Sequence, residues 1–137
     1  MKDFAPIGQK FFDETAGAFT SKFDAEFFSQ FWAGLIESGV AVVFGEWKGN
    51  APAGAIGGVL SPDPCNGAPV MMEVFWFVDP EARGNGIRLF KRYMEYAETV
   101  SERQTMVHLI SSMPEKLEGF YLREGFERME VHYSREG

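Results

Sequence analysis

Residues 70–78 read VMMEVFWFV, the strongest strand signal in the chain, an apolar and aromatic run broken by the single charge of Glu73. Apolar side chains fall on both alternating sets of positions, so the strand should be central and covered on both faces. The stretch that follows, VDPEARGNGIRLF over 78–90, stops the run with proline and glycine and opens a helix from about Ile87 to Ser101. Leu89, Phe90, Tyr93, Tyr96, Ala97 and Val100 recur at one-turn spacing and supply that helix with its buried side.

The rest of the chain extends this pattern. A short helix is expected around Gln9–Glu14. In DAEFFSQFWAGLIES, 24–38, the residues Phe27, Phe28, Phe31, Trp32, Leu35 and Ile36 form one apolar face, with Asp24 as N-cap and Gly39 as stop. Strands are expected at 40–47 and 54–61, joined by a hairpin turn in KGNAPAG. The glycines of the second strand point to a bulge or a close backbone approach. After the 87–101 helix come a strand at 105–111, a short helix over 112–125 and a last strand at 126–134. Ser112 and Glu115 match a capping box, with Pro114 in the first turn. This order gives an α/β (α+β) domain, a mixed sheet with helices packed on it, in one unit of 137 residues.

A net charge of −7 disfavours a general nucleic-acid binder and mildly favours a cationic or neutral small substrate. Cys65 is the sole cysteine, so an internal disulfide is excluded. MKDFAPIGQK lacks the apolar run of a signal peptide, and no stretch reaches the length of a membrane span, so a cytoplasmic protein is expected.

The turn at 83–88 has two readings. Gly84 and Gly86 admit a ligand to the main chain, the free N–H groups of the next helix favour an anion, and Arg83 and Arg88 flank them. The same residues also suit a plain strand-to-helix turn. The pattern is neither the Walker loop nor the dinucleotide fingerprint.

Two stretches together carry a resemblance. VDPEARGNGIRLF resembles the acyl-CoA-binding segment of the GCN5-related N-acetyltransferase (GNAT) family, V-x-P-x-x-R-G-x-G-x-G/A-x-x-L. GFYLREGF, 119–126, resembles that family's second signature, a tyrosine in a short helix ahead of a Gly-Phe pair. The likeness covers roughly 40–134, and in detail it is similar to a bacteriophage branch of these enzymes. It implies the acyl-CoA N-acyltransferase fold, a central mixed, mostly antiparallel sheet flanked by helices. It further implies acetyl-CoA as acyl donor, a small-molecule amine or protein amino group as acceptor, and pairing into homodimers. For a phage-encoded chain the place of action would be the host cytoplasm. The backbone at Phe77 and Val78 would pair with the pantetheine arm. The N–H groups of Arg83, Gly84, Asn85, Gly86, Ile87 and Arg88 would take the pyrophosphate. Tyr121 would protonate the departing thiolate, and Phe126 would close the Gly-Phe element. The chain departs from the family in three ways. Arg88 replaces a Gly or Ala, Pro114 replaces an asparagine, and no typical first strand precedes the Phe-rich helix.

Acetyl transfer to an amine needs a base, a stabiliser for the thioester oxygen and a proton for the thiolate. Glu73, a lone carboxylate in an apolar strand, is the candidate base, because burial raises a carboxyl pKa into a useful range. The other reading is a glutamate paired with an arginine or facing solvent. Tyr121 is the candidate acid or a core tyrosine. His108 reads as a core histidine, His132 as a residue of the acceptor side or of the surface, and Glu118 and Glu124 as solvated charges. Cys65 has no paired histidine, and two histidines and one cysteine give no metal-ligand spacing. The rival to an enzyme is a non-catalytic CoA-binding or protein-interaction module of the same fold.

Overall fold

The structure, a computed structural model, describes residues 1–14, 22–80, 86–109 and 113–135. After a 3-10 turn at Lys2–Phe4 come α1 (Ala5–Glu14) and α2 (Ala25–Glu37), then β1 (Ala41–Lys48), β2 (Ala51–Pro62) and β3 (Pro69–Val78), and then α3 (Gly86–Val100), β4 (Arg103–Thr105) and α4 (Glu115–Arg123). Among the described residues no strand precedes α2, and no helix is long and apolar enough to cross a membrane.

The sheet order is β1-β2-β3-β4, antiparallel except for the β3–β4 pair, which is parallel. The β1–β2 hairpin closes on Gly49-Asn50, with Lys48 opposite Ala51, where the sequence predicts its turn. β3 is covered on both sides. One face packs Phe75 and Phe77 with Ala55, Ile7 and Trp32, under α1 and α2. The other packs Met71 and Val78 with Ile56, Leu89, Tyr93 and Ala97, under α3.

Met71 and Phe75 have the same parity yet lie on opposite faces. The register explains it. Gly57 faces Phe75, but Gly58 faces Glu73, so Val74 is an extra residue on β3 and makes a bulge. A strict two-residue alternation would group Glu73 with Phe75 and Phe77. The bulge turns it instead to the α3 side with Met71. The paired glycines of β2 serve this geometry. A Cβ at Gly57 would run into the Phe75 ring, and one at Gly58 into the Tyr93 hydroxyl.

Three expectations need correction. The apolar face of α2 is narrower than predicted: Trp32 is buried and Phe28 half-buried, but Phe27 and Phe31 are 62% and 50% exposed and stack on each other, one step around the helix from the sheet. The strand expected at 105–111 is β4, and it ends at Thr105; residues 110–112 lie outside the described part. No strand forms at 126–134, where Met129, Val131 and Tyr133 are exposed. Asp24 does cap α2, its carboxylate accepting the Phe27 N–H, and Gly39 follows the helix with φ 81°.

Candidate functional site

The site grows from the end of the β3–β4 ladder. Only Val70–Met72 pair with Arg103–Thr105. At the next position the side chain of Glu73 takes over: its Oε2 accepts the N–H of Val107 at 2.9 Å. The carbonyl of the same peptide residue accepts the Tyr121 hydroxyl at 3.1 Å. Both main-chain groups of Val107 are thus engaged by side chains, and a carboxyl and a phenol from distant elements meet on one residue.

Glu73 is 3% exposed, and it is the buried charged residue among the described ones. Burial pushes its carboxyl from the ordinary 4.5 up to about 8, opposed in part by the Val107 hydrogen bond, which favours the charged form. Tyr121 and Tyr93 are also driven upward, first by burial and then by the charge of Glu73. Both therefore hold their protons firmly while Glu73 is ionised.

The GFYLREGF segment has a local reason for its spelling. α4 starts at Glu115 with Pro114 as N-cap, extended at φ −68° and ψ 145° and without a side-chain cap. The expected capping box is therefore not what starts this helix; Ser112 lies outside the described residues. The helix ends in a Schellman motif. Gly125, at φ 93°, donates its N–H to Leu122, and the Phe126 N–H reaches back to the carbonyl of Tyr121 at 3.0 Å. The Phe126 ring then packs on the Tyr121 ring at 5.8 Å. Trp76, Phe90 and Phe120 complete the cluster that fixes α4 against β3 and α3.

The other described positions lie at the end of β3 and the start of α3. Phe77 and Val78 are buried at the end of β3, opposite Ala55 and Gly54. Gly86 opens α3, 3.4 Å from a Val78 methyl when given a Cβ, and Ile87 is exposed. No acidic residue stands in the first turn of α3 to repel an anion. Arg88 is exposed, its guanidinium 3.8 Å from the Glu46 carboxylate of β1. Arg83, Gly84 and Asn85 lie outside the described residues. His108 keeps a mostly buried side chain, its Nδ1 3.6 Å from Glu118, whose two carboxylate oxygens both accept from the Arg128 guanidinium. His132 is exposed beside Glu130, and Cys65 is exposed in a turn.

Two features escape a reading by residue type. One is Val107, whose contribution is main-chain. The other is Tyr93, which looks like any core residue of α3. The signal available for Tyr93 was the Gly57-Gly58 pair, which marks a bulge and a close approach without saying what approaches.

No protein-family model matches the sequence, and no curated protein does. Solved structures match in fold. The ribosomal-protein-alanine N-acetyltransferase from Brucella melitensis biovar Abortus 2308 superposes with a TM-score of 0.69 at 17% identity, over 98% of this chain and 91% of that one. A GNAT family acetyltransferase from Staphylococcus aureus gives 0.64 at 14%, over 98% and 91%. The glucosamine-6-phosphate N-acetyltransferase from Arabidopsis thaliana gives 0.66 at 13%, over 97% and 92%. At such identities the likeness is one of fold, and the chain has the mixed, mostly antiparallel sheet flanked by helices of the GNAT acetyltransferases.

Proposed function

We propose that this chain is an N-acetyltransferase that moves an acetyl group from acetyl-CoA to a primary amine by direct attack in a ternary complex. The observation that carries the reading is Glu73. A carboxyl sits buried beside the bulge of the central strand, where β3 and β4 part, with its pKa raised to about 8. Such a group is poised to take a proton from an ammonium acceptor near neutral pH.

Acetyl-CoA would supply an activated thioester. The chain's part is to hold and orient it. Gly86, Ile87 and Arg88 offer the first-turn donors of α3, a helix long enough for its dipole to favour a diphosphate. Arg83, Gly84 and Asn85 would extend that cradle, and the strand end at Phe77 and Val78 would align the pantetheine arm. Glu73 takes the amine proton, through a water because the carboxyl is buried. Tyr121 keeps a proton at its hydroxyl for the leaving sulfur. Protonation of Glu73 removes the negative charge that helps hold the Tyr121 pKa up, so the phenol becomes a better acid once the base has acted. No covalent enzyme intermediate is required. The acceptor class is a small-molecule amine or a protein amino group, and the acidic balance of the chain suits a cationic one. A cytoplasmic site of action fits this donor.

Thiol release from acetyl-CoA across a panel of amines tests the proposal. Turnover should depend on the acceptor, fall about 100-fold or more in Glu73→Gln, and fall less in Tyr121→Phe without loss of CoA binding. CoA bound in native mass spectrometry with no release from any amine would leave only a binding module, and no CoA at all would remove the reading.

A further inference from the structure

The cross-strand neighbour of Glu73 is a glycine. Gly58 stands directly opposite it in the β2–β3 ladder, and such partners point to the same face with their Cβ positions a few ångströms apart. That face belongs to α3, since Met71, two residues before Glu73, packs with Leu89 and Tyr93. Gly58 has no side chain to fill its half of the pair. The Tyr93 hydroxyl fills it, close enough that a Cβ at Gly58 would collide with the phenol oxygen. The Tyr93 hydroxyl is buried and has no hydrogen-bond partner among the described residues. A phenylalanine would fill the same space without stranding a polar atom.

Resting on the reading of Glu73 as base, we propose that Tyr93 is a positioning residue for it. The phenol donates through one water to the Glu73 carboxylate, fixing the oxygen that Val107 leaves open. Glu73 is then held by two donors, the Val107 N–H and a water carried by Tyr93 from α3, while the Tyr121 hydroxyl of α4 donates to the carbonyl of that same Val107. The other titratable groups on those elements face away. Lys91, Arg92, Glu95 and Glu98 of α3 are exposed, and Glu118 of α4 faces His108 and Arg128.

A donor to the ionised carboxyl lowers its pKa, so its removal must raise it. In protein carrying 13C-labelled glutamate, the Glu73 carboxyl titration should move up by about one pH unit in Tyr93→Phe. Where Tyr93→Phe fails to fold, 3,5-difluorotyrosine at position 93 carries the test with the opposite sign. Its more acidic phenol is a stronger donor, and the midpoint should move down. A midpoint that stays put in the folded variants overturns the inference, whatever the kinetics show. A midpoint that moves as expected in a protein with no acetyl transfer supports the pairing and overturns only the role of Glu73 as base. In an active enzyme, the pH–rate profile of Tyr93→Phe should follow the carboxyl titration upward.

Discussion

Strands β2 and β3 present two unlike faces to their helices. Toward α1 and α2 the buried set is Ile7, Trp32, Ala55, Phe75 and Phe77, an aromatic layer in which Trp32 meets Phe75 edge-on at 5.0 Å. Toward α3 and α4 the same two strands bury Glu73, Tyr93 and Tyr121 together with their apolar neighbours. Burying a carboxyl and phenol hydroxyls opposes folding, whereas burying aromatic rings drives it. Both faces bury apolar side chains, but on the α3 face the buried polar groups offset part of that gain. The hinge between them is one extra residue, Val74.

The largest expected effect tests whether the α3 face is a cost. The Glu73 carboxyl titrates near 4.5 in the unfolded chain and near 8 in the fold, so between those values the native state holds the extra proton. Its contribution to stability is full below pH 4.5 and is lost as pH rises to about 8. The decline is about 1.4 kcal/mol per pH unit and accumulates to on the order of 5 kcal/mol. Urea melts across pH 5–9 should show this fall in the wild type and a much flatter profile in Glu73→Gln. Equal slopes would mean that the carboxyl is solvated and the two faces do not differ in this way.

On the aromatic face, Phe75→Ala should cost about 3–5 kcal/mol, because the ring is 4% exposed and touches Trp32, Phe28 and Phe11. The loss should be the same at pH 5 and pH 8. A loss that depended strongly on pH would show that the aromatic layer is coupled to Glu73 through the sheet.

The difference between the faces also explains how far the sequence was readable. Up to α3, local punctuation is legible, since Asp24 caps, Gly39 stops and Gly49-Asn50 turns, while the narrower face of α2 and the bulge at Val74 are set by packing between elements distant in the chain. Beyond α3 the site competes with the ladder. TMVHLIS has the composition of a strand, but the Val107 N–H is taken by Glu73 and its carbonyl by Tyr121, so β4 halts at Thr105. FERMEVHYS alternates as a strand should, yet it finds no partner among the described residues and leaves Met129 and Tyr133 in solvent. The candidate site was half legible as an arrangement of residues. A lone glutamate in an apolar strand announces itself, and so does a tyrosine before Gly-Phe. That they meet on Val107, with Tyr93 behind Gly58, depends on a bulge that parity alone would have misplaced.

Gly125→Ala sharpens the link between a helix end and the α3 face. A Cβ there meets no atom within 4 Å, so the whole penalty is the left-handed backbone, about 1–2 kcal/mol by thermal melt. Phe126 would lose its grip on Tyr121, so turnover should fall by more than the stability loss explains. Unchanged turnover in a folded variant would detach Tyr121 from the reaction.

The smallest effect concerns Arg88, on the first turn of α3. Its guanidinium is exposed and 3.8 Å from Glu46, the geometry of a surface pair worth less than about 1 kcal/mol. Arg88→Ala should therefore leave the melting curve nearly unchanged. The informative measurement is CoA affinity against salt. A guanidinium that swings from Glu46 to a phosphate must first give up that pair, which offsets most of the gain. Affinity should fall threefold or less, with a slightly shallower salt dependence. A tenfold loss that vanishes at high salt would mean that Arg88 turns inward on the diphosphate, and Glu46→Gln should then tighten CoA binding by freeing it.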